Sequence, residues 1–341
     1  MTRPRLGFLG VGWIGRHRMN AIVESGEADV VAIADATPAL AADAASSLGP
    51  KARIATSLEE LLALDLDGVV IATPSALHAE QCIAALERGV AVFCQKPLGR
   101  SADETQRVIA AARNAGRLLG VDLSYRHTAA VEAMRREIAA GSIGALYAAD
   151  LVFHNAYGPD KSWFYDARQS GGGCLIDLGI HLVDLGLWMF NDARVRSVDG
   201  RLFAHGTSFV RDGSAVEDHA LLDIELESGA AIRVACSWNL SAGCDAEIRT
   251  TFYGTRGAVS MRNENGSFYD FTAERFEKTA RQTLASPPDA WGGRAAVAWT
   301  SQLAQSRQFD ESIASLEDVA RVLDSVYELH ECRPRPLEIS A

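Results

Sequence analysis

Through the first third of the chain, short apolar runs alternate with amphipathic stretches. Residues 6–10, 30–35, 68–73, 90–94 and 118–122 are apolar almost without interruption, which predicts strands buried on both faces. Between them, residues 14–25, 39–48, 57–64, 78–88 and 101–115 carry helical spacing. Ser57 precedes Glu60 and Ser101 precedes Glu104, the separation at which a cap serine and a reciprocal glutamate start a helix. Strands separated by helices predict a doubly wound parallel sheet.

The pattern changes after Asp122. A helix is predicted over 131–140, a strand over 146–155 and a helix over 175–190. Alternating strands follow at 195–204, 220–227, 231–239, 247–253, 258–262 and 267–272, separated by turn residues. Strands in succession predict a mainly antiparallel sheet. Residues 284–293 read as an irregular loop, and 295–313 and 316–331 as closing helices, the second capped by Ser315. The expected class is α/β: a Rossmann domain over 1–122, then an α+β domain over 123–341 built on that antiparallel sheet.

Composition adds exclusions. The 341 residues carry a net charge of -11, and an acidic surface argues against nucleic acid. Six cysteines without a CxxC pair read as buried free thiols in a reducing compartment. The first residues do not resemble a signal peptide, and no continuous apolar run of membrane length stands out. A cytoplasmic protein without a membrane partner is expected. No histidine or cysteine spacing suits a metal.

Three motifs carry chemistry. Gly10-Val11-Gly12-Trp13-Ile14-Gly15 joins the first strand to the first helix. Gly10 permits the turn, Gly12 lets backbone approach a pyrophosphate and Gly15 lets the helix pack closely, with Trp13 and Ile14 at the helix start. Asp35 ends the second strand, where a carboxylate accepts from ribose hydroxyls. It would repel a 2′-phosphate, so NAD is expected; Arg16 and Arg18 leave NADP as the alternative. Thr73, Pro74 and His78 follow the strand at 68–73 and are candidates to line the cofactor. For His78 the competing reading is a surface helix residue.

The second motif is Cys94-Gln95-Lys96-Pro97, in which proline keeps Lys96 extended. The lysine could hold a substrate oxygen, or be a solvated loop residue. In the third, Gly171-Gly172-Gly173 precedes a helix on which Asp177 and His181 are four apart on one face. The glycines would let substrate approach the helix start. His181 suits proton transfer near neutrality, and Asp177 could orient it or bind a hydroxyl. Asp184 is a rival partner for His181, and satisfied polar groups at a domain interface are the plainer alternative.

These motifs resemble the Gfo/Idh/MocA family of nicotinamide-dependent sugar and cyclitol oxidoreductases, over nearly the whole chain. The resemblance implies that Lys96, Asp177 and His181 form the reacting centre, that Gln95 and Lys96 sit beside the nicotinamide, and that the histidine is the acid–base group. One departure is Gln95, where the family usually has glutamate. Tyr125, Arg126, Asn155, Trp163 and Arg168 are candidate substrate contacts; for Trp163 the alternative is loop packing. The resemblance also implies that the second domain is an open sheet that binds substrate and makes oligomer contacts, and that the activity is hydride transfer with a sugar or polyol in a homodimer or homotetramer. Redox-neutral glycoside cleavage with transiently used NAD, and a non-catalytic nucleotide sensor, are the competing functions.

Overall fold

The computed structural model describes residues 3–49, 52–191 and 193–331. Its first sheet contains β1 (Arg5–Leu9), β2 (Asp29–Ala34), β3 (Arg53–Ala55), β4 (Gly68–Ile71), β5 (Ala91–Cys94) and β6 (Leu119–Val121). All are parallel, in the order β3-β2-β1-β4-β5-β6. The crossovers are α1 (Trp13–Ser25), α2 (Pro38–Leu48), α3 (Leu58–Leu62), α4 (Ser75–Glu87) and α5 (Ala102–Ala115).

Successive residues of a strand face opposite sides. Leu6, Phe8, Val70 and Phe93 pack with Met19 and Ile22 of α1, whereas Leu9, Val69, Ile71 and Val92 pack with Cys82 of α4 and Ile109 of α5. Both faces are covered, which is why these strands read as apolar throughout. Burying each large side chain contributes about 1.5–3 kcal/mol. Ser57 and Ser101 accept from the amides of Glu60 and Glu104 at 3.1 and 3.2 Å, so both predicted caps form.

The remainder comprises α6 (Ala129–Ala139), β7 (Leu146–Asn155), a short α7 (Ala167–Ser170), α8 (Ile180–Met189), β8 (Val195–Ala204), β9 (Thr207–Ser208), β10 (His219–Leu226), β11 (Ala231–Ser237), β12 (Ala246–Gly254), β13 (Ala258–Asn263), β14 (Phe271–Glu277), β15 (Ala280–Ala285), α9 (Arg294–Gln305) and α10 (Ser315–Leu329). The strands form one sheet, β15-β14-β13-β12-β7-β11-β10-β8-β9. Every pairing is antiparallel except β7 with β11. Although α9 follows this sheet in sequence, it packs on the first: Trp299 lies 5.6 Å from Phe93, and a Cβ at Gly120 would sit 2.5 Å from its indole.

Several expectations are corrected. The helix read over 175–190 begins as a π-turn, Leu175–Gly179, before α8. The strand read over 267–272 lies later, because Ser267 Oγ accepts from the amides of Tyr269 and Asp270 and closes a turn. Strands β3 and β9 are too short to show a pattern, and the first four residues of β15 are exposed, so no apolar alternation marks it. The helix read over 295–313 stops at Gln305, and the Arg307 carbonyl then accepts from Leu118 N at 2.8 Å. Ser315 is not a cap: Asp310 caps the preceding 3-10 turn, and Ser315 Oγ donates to Ser312 O.

The segment Ala167–Met189 is long and apolar enough to cross a membrane by length and composition, contrary to the sequence reading, yet 89% of its apolar window is buried inside the fold. Cys82, Cys94, Cys174 and Cys236 are buried free thiols as expected, but Cys244, in the loop between β11 and β12, is exposed. Cys332 lies outside the described residues.

Candidate active site

The strand order reverses between β1 and β4, and ligands bind beyond the carboxyl ends of strands at such a point. A cleft of about 870 Å³ opens there and extends toward the second sheet. Gly10 adopts φ +86°, and a Cβ on it would lie 2.5 Å from the Ala72 carbonyl, so glycine lets the loops after β1 and β4 meet. A Cβ on Gly15 would lie 2.2 Å from Gly10 O, whereas one on Gly12 would meet nothing within 4 Å. Gly12 thus leaves the start of α1 open to a ligand. Trp13 is 70% exposed and lines the mouth with Ile14.

Asp35 accepts from Val11 N and Thr37 N, both at 2.8 Å. The two amides fix the carboxylate at the end of β2, in the cleft wall. Arg16 is turned to Asp43 at 3.2 Å. The glycine turn and the fixed carboxylate suit a dinucleotide's pyrophosphate and ribose.

Thr73, Pro74 and His78 line the same cleft. His78 is buried, not a surface residue: its ring nitrogens lie 2.7 Å from the carbonyls of Pro97 and Thr73, tying together the loops after β5 and β4. Burial holds its pKa below the ordinary imidazole range against these two contacts.

Beyond β5, Gln95 Nε2 donates to Asp122 Oδ2 at 2.5 Å. Arg18 Nε reaches the same oxygen at 2.5 Å, and Arg18 Nη2 donates to Ser124 Oγ at 3.0 Å. Lys96 Nζ donates to both the backbone carbonyl and Oδ1 of Asp177, each at 2.6 Å. Trp238 Nε1 donates to Asp177 Oδ2 at 3.1 Å. Asp177 therefore holds Lys96 and does not orient His181. An ammonium has three donors, so one is left on Lys96 for a ligand oxygen.

His181 is buried, and its Nδ1 has no partner. Burial, then the charges of Lys96 and Arg18, holds its pKa well below the ordinary value. The ring lines the cleft, and a neutral imidazole there is suited to accept a proton. Tyr125 packs edge-on at 5.0 Å, and burial raises its pKa. Asp184, the rival partner for His181, is bound instead by Arg126 Nε at 2.8 Å and Nη2 at 2.5 Å.

The structure therefore gathers Gly10, Gly12, Trp13, Ile14, Asp35, Thr73, Pro74, His78, Gln95, Lys96, Tyr125, Trp163, Asp177 and His181 around one cleft, with Gly15 behind its floor. Trp163 stacks on Phe164 at 3.9 Å and still lines it. Three candidates lie elsewhere. Arg126 is committed to Asp184. Asn155 Oδ1 accepts from Tyr157 N at the end of β7. Arg168 pairs with Asp166, with its side chain 90% exposed. The glycine triplet is also reassigned. Cβ atoms at Gly172 and Gly173 would lie 2.0 Å from Tyr327 Oη and 1.8 Å from Glu217 O, so protein, not substrate, occupies the space they leave.

Sequence reasoning missed Asp122, Tyr269 and Trp291, which line the cleft, and read Arg18 as a phosphate partner, whereas it is buried against Asp122 and Ser124. The burial of Arg18 had a usable signal: it shares the buried stripe of α1 with Gly15, Met19 and Ile22. Tyr269 lies in a segment read as strand and Trp291 in one read as loop, and neither carried a signal.

Comparison with known proteins identifies the family. Residues 5–123 match the model described as an oxidoreductase family with an NAD-binding Rossmann fold, and residues 131–260 match the GFO/IDH/MocA C-terminal domain. A 1,5-anhydro-D-fructose reductase of Ensifer adhaerens is 30% identical, with 76% of each chain covered. An inositol 2-dehydrogenase of Acidothermus cellulolyticus is 27% identical, over 91% of this chain and 94% of that one. A levoglucosan dehydrogenase solved with NADH and L-sorbose shares the fold at TM-score 0.80, 22% identity and 96% coverage of each chain.

Proposed function

We propose that this chain, which belongs to the Gfo/Idh/MocA family of NAD-binding oxidoreductases, interconverts a secondary alcohol and a ketone on a neutral sugar or cyclitol, with Lys96, Asp177 and His181 at the reacting oxygen. The observation that carries the reading is the meeting of Lys96 and Asp177 at 2.6 Å in the cleft that also holds the glycine turn, Asp35 and His181.

When bound, NAD supplies the hydride acceptor. The remaining chemistry belongs to side chains. The third Lys96 donor binds the substrate oxygen and stabilises negative charge as it develops there. Neutral His181 takes the hydroxyl proton during oxidation and returns it during reduction. Asp177 keeps Lys96 in place, and Trp238 keeps Asp177 in place. Tyr125, Trp163 and Trp291 offer apolar planes to the C–H faces of a ring. Asp35, with Arg16 turned away, favours NAD over NADP.

The same reading takes the uncovered face of the nine-stranded sheet, where Leu221 is 40% exposed, as the contact of a homodimer or homotetramer. The buried free thiols suit a reducing cytoplasm.

The test follows nicotinamide absorbance on incubating the protein with NAD or NADP and a panel of inositols, aldoses and glycosides. Reduction with one compound, lost in Lys96→Ala, supports the proposal. Glycoside cleavage without net reduction, with NAD copurifying, would replace it with the redox-neutral reaction. NAD binding without turnover of any kind would leave the sensor reading.

A further inference from the structure

The π-turn Leu175–Gly179 that presents Asp177 has no side-chain cap of its own. Its first amides would be unsatisfied inside the protein. The first of them and the two amides leading into the turn are met by one residue just before β10. Glu217 is fully buried. Its Oε1 accepts from Gly173 N at 2.9 Å and Leu175 N at 2.9 Å, its Oε2 from Gly173 N at 3.0 Å, and its backbone carbonyl from Cys174 N at 3.0 Å. Three consecutive amides thus end on one residue. Tyr327 Oη, from α10, donates to Oε1 at 2.8 Å. The carboxylate lies where a helix start favours an anion.

The next residue extends the link. The Asp218 carbonyl accepts from Trp238 N at 2.8 Å, and Trp238 Nε1 holds Asp177 Oδ2. One short segment therefore fixes the beginning of the turn that carries Asp177 and the indole that holds its carboxylate. Neither Glu217 nor Tyr327 lines the cleft.

We propose that Glu217, braced by Tyr327, is a positioning residue that sets Asp177 against Lys96 and His181 beside the substrate, and so acts on the chemical step without touching substrate or cofactor. The inference rests on the oxidoreductase reading for its catalytic consequence. It explains Gly172 and Gly173, since no side chain fits between them and the two braces.

Two variants test it. Glu217→Gln keeps the shape but turns one acceptor oxygen into a donor facing backbone N–H groups. Tyr327→Phe leaves the carboxylate and removes only the brace. Well below either variant's melting temperature, kcat is expected to fall about tenfold in Glu217→Gln and less in Tyr327→Phe, a shift smaller than the 1 Å misplacement that can cost about 10²-fold. KM for the alcohol and Kd for NAD should stay within about twofold.

Two further readouts need no substrate: hydrogen exchange at the amides of Gly173 and Leu175, and the Trp238 indole N–H resonance. Faster exchange and a displaced indole signal support the positioning role. If both are unchanged in Glu217→Gln, the proposal is overturned, whether or not any alcohol is oxidised. It is also overturned if wild-type protein turns over, both variants stay folded, and kcat is unchanged or KM and Kd move as much as kcat. Wild-type protein that oxidises nothing counts against the oxidoreductase reading alone, and the exchange and indole readouts then decide the positioning role.

Discussion

Lys96 Nζ lies 2.6 Å from two oxygens of Asp177, a residue 81 positions away on a different sheet's helix. The contact joins the loop after β5 to the π-turn before α8, and it leaves the ammonium one donor short of saturation. Lys96→Met keeps the stem and removes the charge. We expect kcat/KM to fall about 10²–10³-fold, as for loss of one preorganised donor at a developing oxyanion. The charge of Lys96 also lowers the His181 pKa, after burial, so NMR titration of His181 should move upward in this variant. A downward movement would contradict the geometry.

His181→Ala removes the proton acceptor without disturbing the glycine turn. Oxidation at neutral pH should drop about 10²–10⁴-fold while NAD affinity holds. In the wild type, the imidazole is neutral well below its ordinary pKa. The acid limb of kcat/KM for oxidation should therefore fall below about pH 6.5, the unperturbed histidine value. An acid limb above neutrality would assign the base to another group.

Burial gives stability a related pH dependence. His78 and His181 titrate below 6.5 when folded and near it when unfolded. Between those values the unfolded chain binds more protons, so stability is complete above the unfolded pKa and is lost as pH falls through the window. Urea midpoints should be lower at about pH 5.5 than at about pH 7.5, and His78→Asn should flatten the difference. Equal midpoints in the wild type would refute this.

Cofactor preference rests on Asp35. Replacing it with serine and Thr37 with arginine removes a carboxylate from the ribose site and adds a phosphate partner. The ratio of kcat/KM for NADP over NAD should rise about tenfold or more. Steady-state kinetics with both cofactors decides it, and an unchanged ratio would place the discriminating charge elsewhere.

Gln95 stands where the family usually has glutamate, but Gln95→Glu is not a simple restoration here. Its carboxylate would face Asp122, whose Oδ2 now takes a 2.5 Å hydrogen bond from the Gln95 amide. Like charges this close disfavour joint ionisation. Denaturation should show a loss of about 1–3 kcal/mol at pH 8 that shrinks at lower pH, where one carboxyl is protonated. A variant equally stable at both would show that Arg18 neutralises both groups.

Local signals made much of this legible. A run such as 68–73 is apolar because helices cover both its faces, and that burial is written residue by residue. Gly10, Gly12, Gly15 and Asp35 were readable because the turn and carboxylate they build lie within one crossover unit. Lys96 and the Asp177–His181 pair were each visible, yet their partners were not. Asp177 turned to Lys96 and Trp238 instead of His181, Asp184 to Arg126, and Gly172 and Gly173 to Tyr327 and Glu217. Those choices depend on which segments the two sheets bring face to face. Side-chain hydrogen bonds act over about 3 Å in space, and spacing along a chain carries no record of contacts between residues tens of positions apart. The sequence by itself determined the elements, the nucleotide turn and the reactive residue types. Only tertiary packing decided which carboxylate holds the lysine, which histidine nitrogen stays bare and what the glycines make room for.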